Sequence, residues 1–124
     1  MKVTGAYTQI TEITAPSSAI AGDTVYIVAR VKNLGTYAFY IAVTAVYDSS
    51  DIPITPSYQS IAPGAIGVYN GYFTMPNNKV RVYVWSYYWT GSAWYLDDQA
   101  YVDIALAVSK PVVSAFQIAD YAKV

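Results

Sequence analysis

The sequence predicts an all-β fold, two antiparallel sheets packed face to face as a sandwich. Two observations carry this expectation. β-branched and aromatic residues alternate with polar ones in short runs, and clusters of Gly, Pro, Asn, Asp and Ser interrupt the runs roughly every eight to fifteen residues. No stretch combines an apolar stripe at helical spacing with capping residues, and no internal repeat or polar linker divides the chain. Its 124 residues make one domain, long enough to bury roughly two thirds of the unfolded surface. About seven short strands in this length suit a sandwich with Greek-key connections, with a small barrel as the alternative.

The first expected strand runs over residues 6–14 and ends at Pro16, a residue suited to an edge or a strand end. After the turn at Ala21-Gly22-Asp23, residues 24–32 place Val25, Ile27, Ala29 and Val31 on one face. That row is expected in the core. Asn33-Leu34-Gly35-Thr36 reads as a hairpin into residues 37–47, where Phe39, Ile41, Val43 and Ala45 form a row. Ile52-Pro53-Ile54-Thr55-Pro56 holds two prolines, each without the N–H that a central strand donates, and reads as a crossing between sheets. Residues 65–75 follow the turn at Ala62-Pro63-Gly64, with Phe73 and Met75 pointing inward. Next, Val80, Val82 and Val84 alternate with Arg81, Tyr83, Trp85, Tyr87 and Trp89. A short hairpin at Thr90-Gly91-Ser92 leads into residues 93–108, with a bulge expected at Asp97-Asp98 and Val102, Ile104, Leu106 and Val108 continuing the core row. The sandwich is assigned to residues 1–109, and residues 110–124 to an extra strand or an assembly arm.

Apolar residues make up 55% of the chain and charged residues 12%, about half the usual charged share. Such a composition disfavours disorder. With 7 basic and 8 acidic side chains there is no field to gather phosphates, so nucleic acid is not an expected partner. Low charge also removes the usual protection against self-association. No cysteine is present, which excludes a disulfide framework and a thiolate metal site. Met1-Lys2-Val3-Thr4-Gly5-Ala6-Tyr7 lacks the apolar run of a secretory signal, and no stretch is long and apolar enough for a membrane helix. Neither export through this segment nor membrane insertion is expected.

A family resemblance rests on Ile13-Thr14-Ala15-Pro16, Ala21-Gly22-Asp23-Thr24-Val25, Val31-Lys32-Asn33-Leu34-Gly35, Ile61-Ala62-Pro63-Gly64 and Phe73-Thr74-Met75-Pro76. In this order and spacing, over residues 6–108, they resemble the CARDB-type immunoglobulin-like domains. The resemblance implies an immunoglobulin-like sandwich and an adhesion-related or structural role at a cell surface. Stand-alone versions are similar to small virion accessory proteins and filament subunits, which implies a virion or cell-surface setting.

With no His and no Cys, the commonest general base and the thiol nucleophile are missing. A catalytic role is not expected. Asp97 and Asp98 would point to opposite faces of a regular strand, which makes a poor acid/base pair. Calcium is the best chemical use for Asp48, Asp51, Asp97, Asp98 and Asp103, but their spacing matches no cation-binding loop. Solvated turn acids explain them better, so no metal and no cofactor is assigned.

The remaining signal is an aromatic row, Tyr83, Trp85, Tyr87 and Trp89, joined across the hairpin by Trp94 and Tyr95 and flanked by Arg81. Since the opposite row is valine, the aromatic side is free to form a contact surface. Three explanations stand. The rings pack on further copies of the chain or on a larger scaffold, as buried Trp and Tyr anchors do. They form a platform for sugar faces, with Arg81, Asn70 and Gln99 for the hydroxyls. Or the rows are swapped, or the tail segment covers the rings, and they are ordinary core. Assembly is preferred, with Pro111, Val112, Val113, Phe116 and Ile118 as a candidate arm that pairs with a neighbour.

Overall fold

The computed structural model describes residues 5–108, and the candidate arm Pro111–Ile118 lies outside them. Ten strands form two sheets: β1 (Thr8–Thr14), β2 (Ser18–Ile20), β3 (Thr24–Asn33), β4 (Phe39–Tyr47), β5 (Ser50–Ile52), β6 (Ile54–Thr55), β7 (Tyr58–Ile61), β8 (Ile66–Thr74), β9 (Val80–Trp89) and β10 (Trp94–Ala107). One sheet has the order β1-β3-β8-β6. The other has the order β2-β10-β9-β4-β5, with β7 also pairing with β4. The fold is an all-β sandwich, and no helix occurs among the described residues.

The alternation of side chains explains the layers. Val25, Ile27, Ala29 and Val31 of β3 and Tyr69 and Phe73 of β8 are buried and face Ile41, Val43 and Ala45 of β4 and Val80, Val82 and Val84 of β9. These rows are the core. Tyr69 ties the layers together, because its hydroxyl donates to the Ile41 carbonyl of the opposite sheet. Burial pushes its phenol pKa up, although a hydrogen bond with Gln59 acts the other way.

The hairpin expected at Asn33–Thr36 does not form. β3 and β4 belong to different sheets, so these residues carry the chain from one layer to the other. Asn33 builds that crossing: it is buried, its amide donates to the Tyr37 and Ile61 carbonyls, and its side-chain oxygen accepts from Gly35 N–H at 2.7 Å. The proline-rich segment crosses as expected and does so twice. From β5 the chain visits the first sheet as β6, paired with Gly71 and Asn70, and returns as β7 against β4.

β1 and β2 make a similar change of layer on the opposite side. β1 pairs antiparallel with β3, while β2 runs parallel to the end of β10. Sequence reading missed β2, whose three residues carry no alternation of their own. The end of β10 also departs from expectation. Ile104 is fully buried, but Leu106 and Val108 are 38% and 90% exposed, because the core ends before they are reached.

Candidate interaction face

The register of β9 against its neighbours sets which rings share a face. Across β10 the pairs are Trp89↔Trp94, Tyr87↔Leu96, Trp85↔Gln99, Tyr83↔Tyr101 and Arg81↔Asp103, and paired residues point to the same side. Across β4, Tyr87, Trp85 and Tyr83 oppose Ala42, Thr44 and Val46. The valine row of β9 faces the core, so all of these lie on the outer face of the larger sheet. The rows are not swapped. Among the described residues no strand lies over this face.

The face has two differently built ends. At one, Arg81 forms a two-pronged pair with Asp103, Nε to Oδ1 at 2.8 Å and NH2 to Oδ2 at 3.2 Å. Its guanidinium also sits 4.1 Å from the Tyr101 ring centre, a cation–π contact. The hydrogen bond from Arg81 holds the Asp103 carboxyl below the ordinary range, and the same bond raises the Arg81 pKa. Next along the face, Tyr83 and Trp85 lie nearly parallel, 15° apart with centres at 5.9 Å. The Trp85 indole N–H donates to the Gln99 amide oxygen at 3.1 Å.

At the other end, four rings surround an open cleft of about 340 Å³: Tyr40 of β4, Tyr58 of β7, Trp89 of β9 and Trp94 of β10. Their planes are tilted. Tyr40 meets Tyr58 edge-on at 82°, Tyr58 meets Trp94 at 55°, and Trp94 meets Trp89 at 55°, with centres 5.1 to 5.9 Å apart.

Of the residues expected here, Arg81, Tyr83, Trp85, Tyr87, Trp89 and Trp94 share this face. Tyr95 does not. It pairs with Tyr88, one position out of phase with Trp94, and the two stack at 5.8 Å at the end of the core, where Tyr88 also meets Tyr7 and Phe39. Asn70 is on β8 in the other sheet, beside Tyr26 and Tyr72, and is removed from the rings. Two ring residues were missed. Tyr40 was readable as the outward neighbour of the Phe39 row, while Tyr58 lay in a segment whose return to the larger sheet no local pattern announces.

The expected bulge forms between Leu96 and Asp98 and redirects both carboxylates. Asp97 accepts from the backbone N–H groups of Ala6, Tyr7 and Thr8, and from the Thr8 hydroxyl. Since Thr8 donates to Asp97, the fully buried Ser86 hydroxyl donates to Thr8 Oγ1 at 2.7 Å. Asp98 is buried and accepts from Ile10 N–H at 2.8 Å. The pair therefore clamps β1 to the far sheet. A Cβ on Gly5 would stand 2.3 Å from the Asp97 carboxylate, so the clamp also requires a glycine there. Among the described residues, no three carboxylates gather as a metal site would require.

No family model matches the sequence, and no curated protein matches it. Solved structures do. The CARDB domain of a Pyrococcus furiosus protein, determined in complex with di-metal ions, superposes with a TM-score of 0.62 at 16% identity, over 86% of this chain and 95% of that one. The fold is an immunoglobulin-like sandwich similar to that of the CARDB domain. Native alpha-2-macroglobulin from Escherichia coli gives a TM-score of 0.63 at 14% identity, over 86% of this chain but 17% of that one. A Bacteroides uniformis beta-glucuronidase gives 0.56 at 16% identity over 76% of this chain. The present chain spans only 12% of that enzyme, so the sandwich here matches a small part of a much longer chain.

Proposed function

We propose that this domain is a non-enzymatic interaction module, a self-assembling or scaffold-decorating subunit of a virion or an extracellular filament. One observation carries the reading. The outer face of β10-β9-β4-β7 presents a continuous field of Trp and Tyr side chains that no described strand covers. Water-exposed ring surface of this kind marks contact sites in soluble proteins, and Trp and Tyr are the residues that anchor them. The near-neutral charge, 7 basic against 8 acidic residues, supplies little repulsion between copies. The partner is a further copy or a larger structural scaffold, and residues 110–124 are an additional assembly arm.

Light scattering across a wide concentration range tests this. Self-association that weakens in Trp85→Ala, and again on removal of residues 110–124, is expected. A strict monomer at high concentration, unchanged by either alteration and with no affinity for a virion or filament scaffold, overturns the reading.

A second reading, a carbohydrate-binding adhesion module, is favoured by the near-parallel Tyr83 and Trp85 rings with the Gln99 amide at the indole edge. Flat rings flanked by an amide suit a sugar face and its hydroxyls. Glycan-array binding by the wild type that disappears in Trp85→Ala supports it.

A further inference from the structure

We infer that the cleft between Tyr40, Tyr58, Trp89 and Trp94 is a docking site for a proline-rich extended segment of a partner protein. The inference does not depend on the assembly reading, which concerns the face as a whole and is measured separately.

The geometry excludes a flat platform at this end. Tilts of 82°, 55° and 55° turn the rings into walls, so a bulky apolar group enters between them and no planar sugar face is matched. With Tyr40, Tyr58 and Trp94 at 47%, 55% and 40% exposure, the walls stand open to solvent along the top. An open trough suits a chain lying across it. A small cation held by ring faces gains most from an enclosed, desolvated cage, which this cleft is not.

Charge complementarity selects the chain. Among the described residues, no charged side chain lines the cleft. The indole N–H groups of Trp89 and Trp94 find no acceptor among the described residues, and neither do the hydroxyls of Tyr40 and Tyr58 find a partner. Indole donates only, and among the described residues the walls offer no carboxylate or amide, only the two tyrosine hydroxyls, to accept from a ligand. The best match is a ligand of apolar rings and carbonyl oxygens with few N–H groups of its own. Polyproline is such a ligand: it lacks the backbone N–H, holds its carbonyls outward, and loses little entropy because it is already extended. Troughs walled by Tyr and Trp are the known counterpart of such segments. A pyranose, by contrast, presents several donors, for which the described walls offer only the two tyrosine hydroxyls.

The test uses the full chain and an oligoproline peptide of about ten residues, with a Gly/Ser peptide of equal length, a cello-oligosaccharide and choline as comparators. Binding is read from tryptophan fluorescence and from backbone amide shifts in NMR spectra. The expected result is saturable binding of oligoproline alone, weakened about tenfold or more in Trp89→Ala and in Tyr58→Ala, and unchanged in Tyr26→Ala on the opposite sheet. Thermal melts establish which variants fold. If Trp89→Ala does not, the more exposed Tyr58 decides the matter. Failure of oligoproline to bind the folded wild type overturns the proposal. So does equal or tighter binding of the sugar or choline, or undiminished binding in folded Tyr58→Ala. Loss of self-association without loss of peptide binding, or the reverse, separates this site from the assembly surface.

Discussion

The two faces of β9 differ by one residue of register and by everything that surrounds them. On the inner side Val80, Val82 and Val84 are 3%, 0% and 0% exposed, locked between sheets by branched side chains with few rotamers. On the outer side Tyr83, Trp85, Tyr87 and Trp89 are only half-buried, with Tyr83 against Trp85 and Trp89 against Trp94. The inner row earns its place through folding. The outer row presents ring surface that no described strand covers, and that is the reason to assign it a function.

The contrast can be broken from the inside first. Ile104→Ala removes a fully buried side chain opposite Val80 and is expected to cost about 2–5 kcal/mol, read from chemical denaturation. Asp97→Ala leaves three N–H groups and the Thr8 hydroxyl without their acceptor, with an expected loss of roughly 2–3 kcal/mol and early exchange of the β1 amides in hydrogen-exchange measurements. Tyr69→Phe deletes the hydroxyl that bridges the sheets and should cost about 1–2 kcal/mol. On the outside, Trp85→Ala should change the melting temperature by only a few degrees while reducing self-association, the opposite balance to Ile104→Ala. A Trp85→Ala loss of stability as large as that of Ile104→Ala would erase the distinction between the faces. The smallest effect belongs to Arg81 and Asp103. Because Asp103 titrates lower in the folded chain than when unfolded, its contribution is present above its ordinary pKa and fades as pH falls through the lowered one. Asp103→Asn should remove that slight acid dependence from the melting curve.

Much of this was legible in the sequence because alternation is a local signal. The β3, β4 and β9 core rows, the inward Phe73 and Met75 and the double-proline crossing follow from neighbours a few residues apart, whereas the buried Tyr69 was not read. The bulge at Asp97 was readable as two adjacent carboxylates that a regular strand separates, although their task of holding β1 was not. What stayed hidden depends on which strand lies beside which. Asn33–Gly35 has the residues of a tight turn whether it joins two strands of one sheet or leads to the other layer. Tyr95 was grouped with Trp94, yet adjacent strand residues face opposite ways, and only pairing with Tyr88 decides which of the two is outside. Tyr58 joins the cleft solely because the chain returns after β6, which is a long-range event.

The double changes of layer have a consequence for growth. On each flank of the sandwich one stretch of chain supplies the borders of both sheets, β1 with β2 on one side and β5, β6 and β7 on the other. Most of those border strands are only two to four residues long, and β1, the longest at seven, is broken by a register shift between Ile10 and Glu12. These short strands leave longer edges beside them: β2 pairs only with Ala105–Ala107 of the fourteen-residue β10, and β6 only with Gly71 and Asn70 of β8. Copies that stacked by their broad faces alone would leave those edges unjoined. A fibre built that way would lack the strong ~4.7 Å axial reflection of a continuous cross-β ribbon.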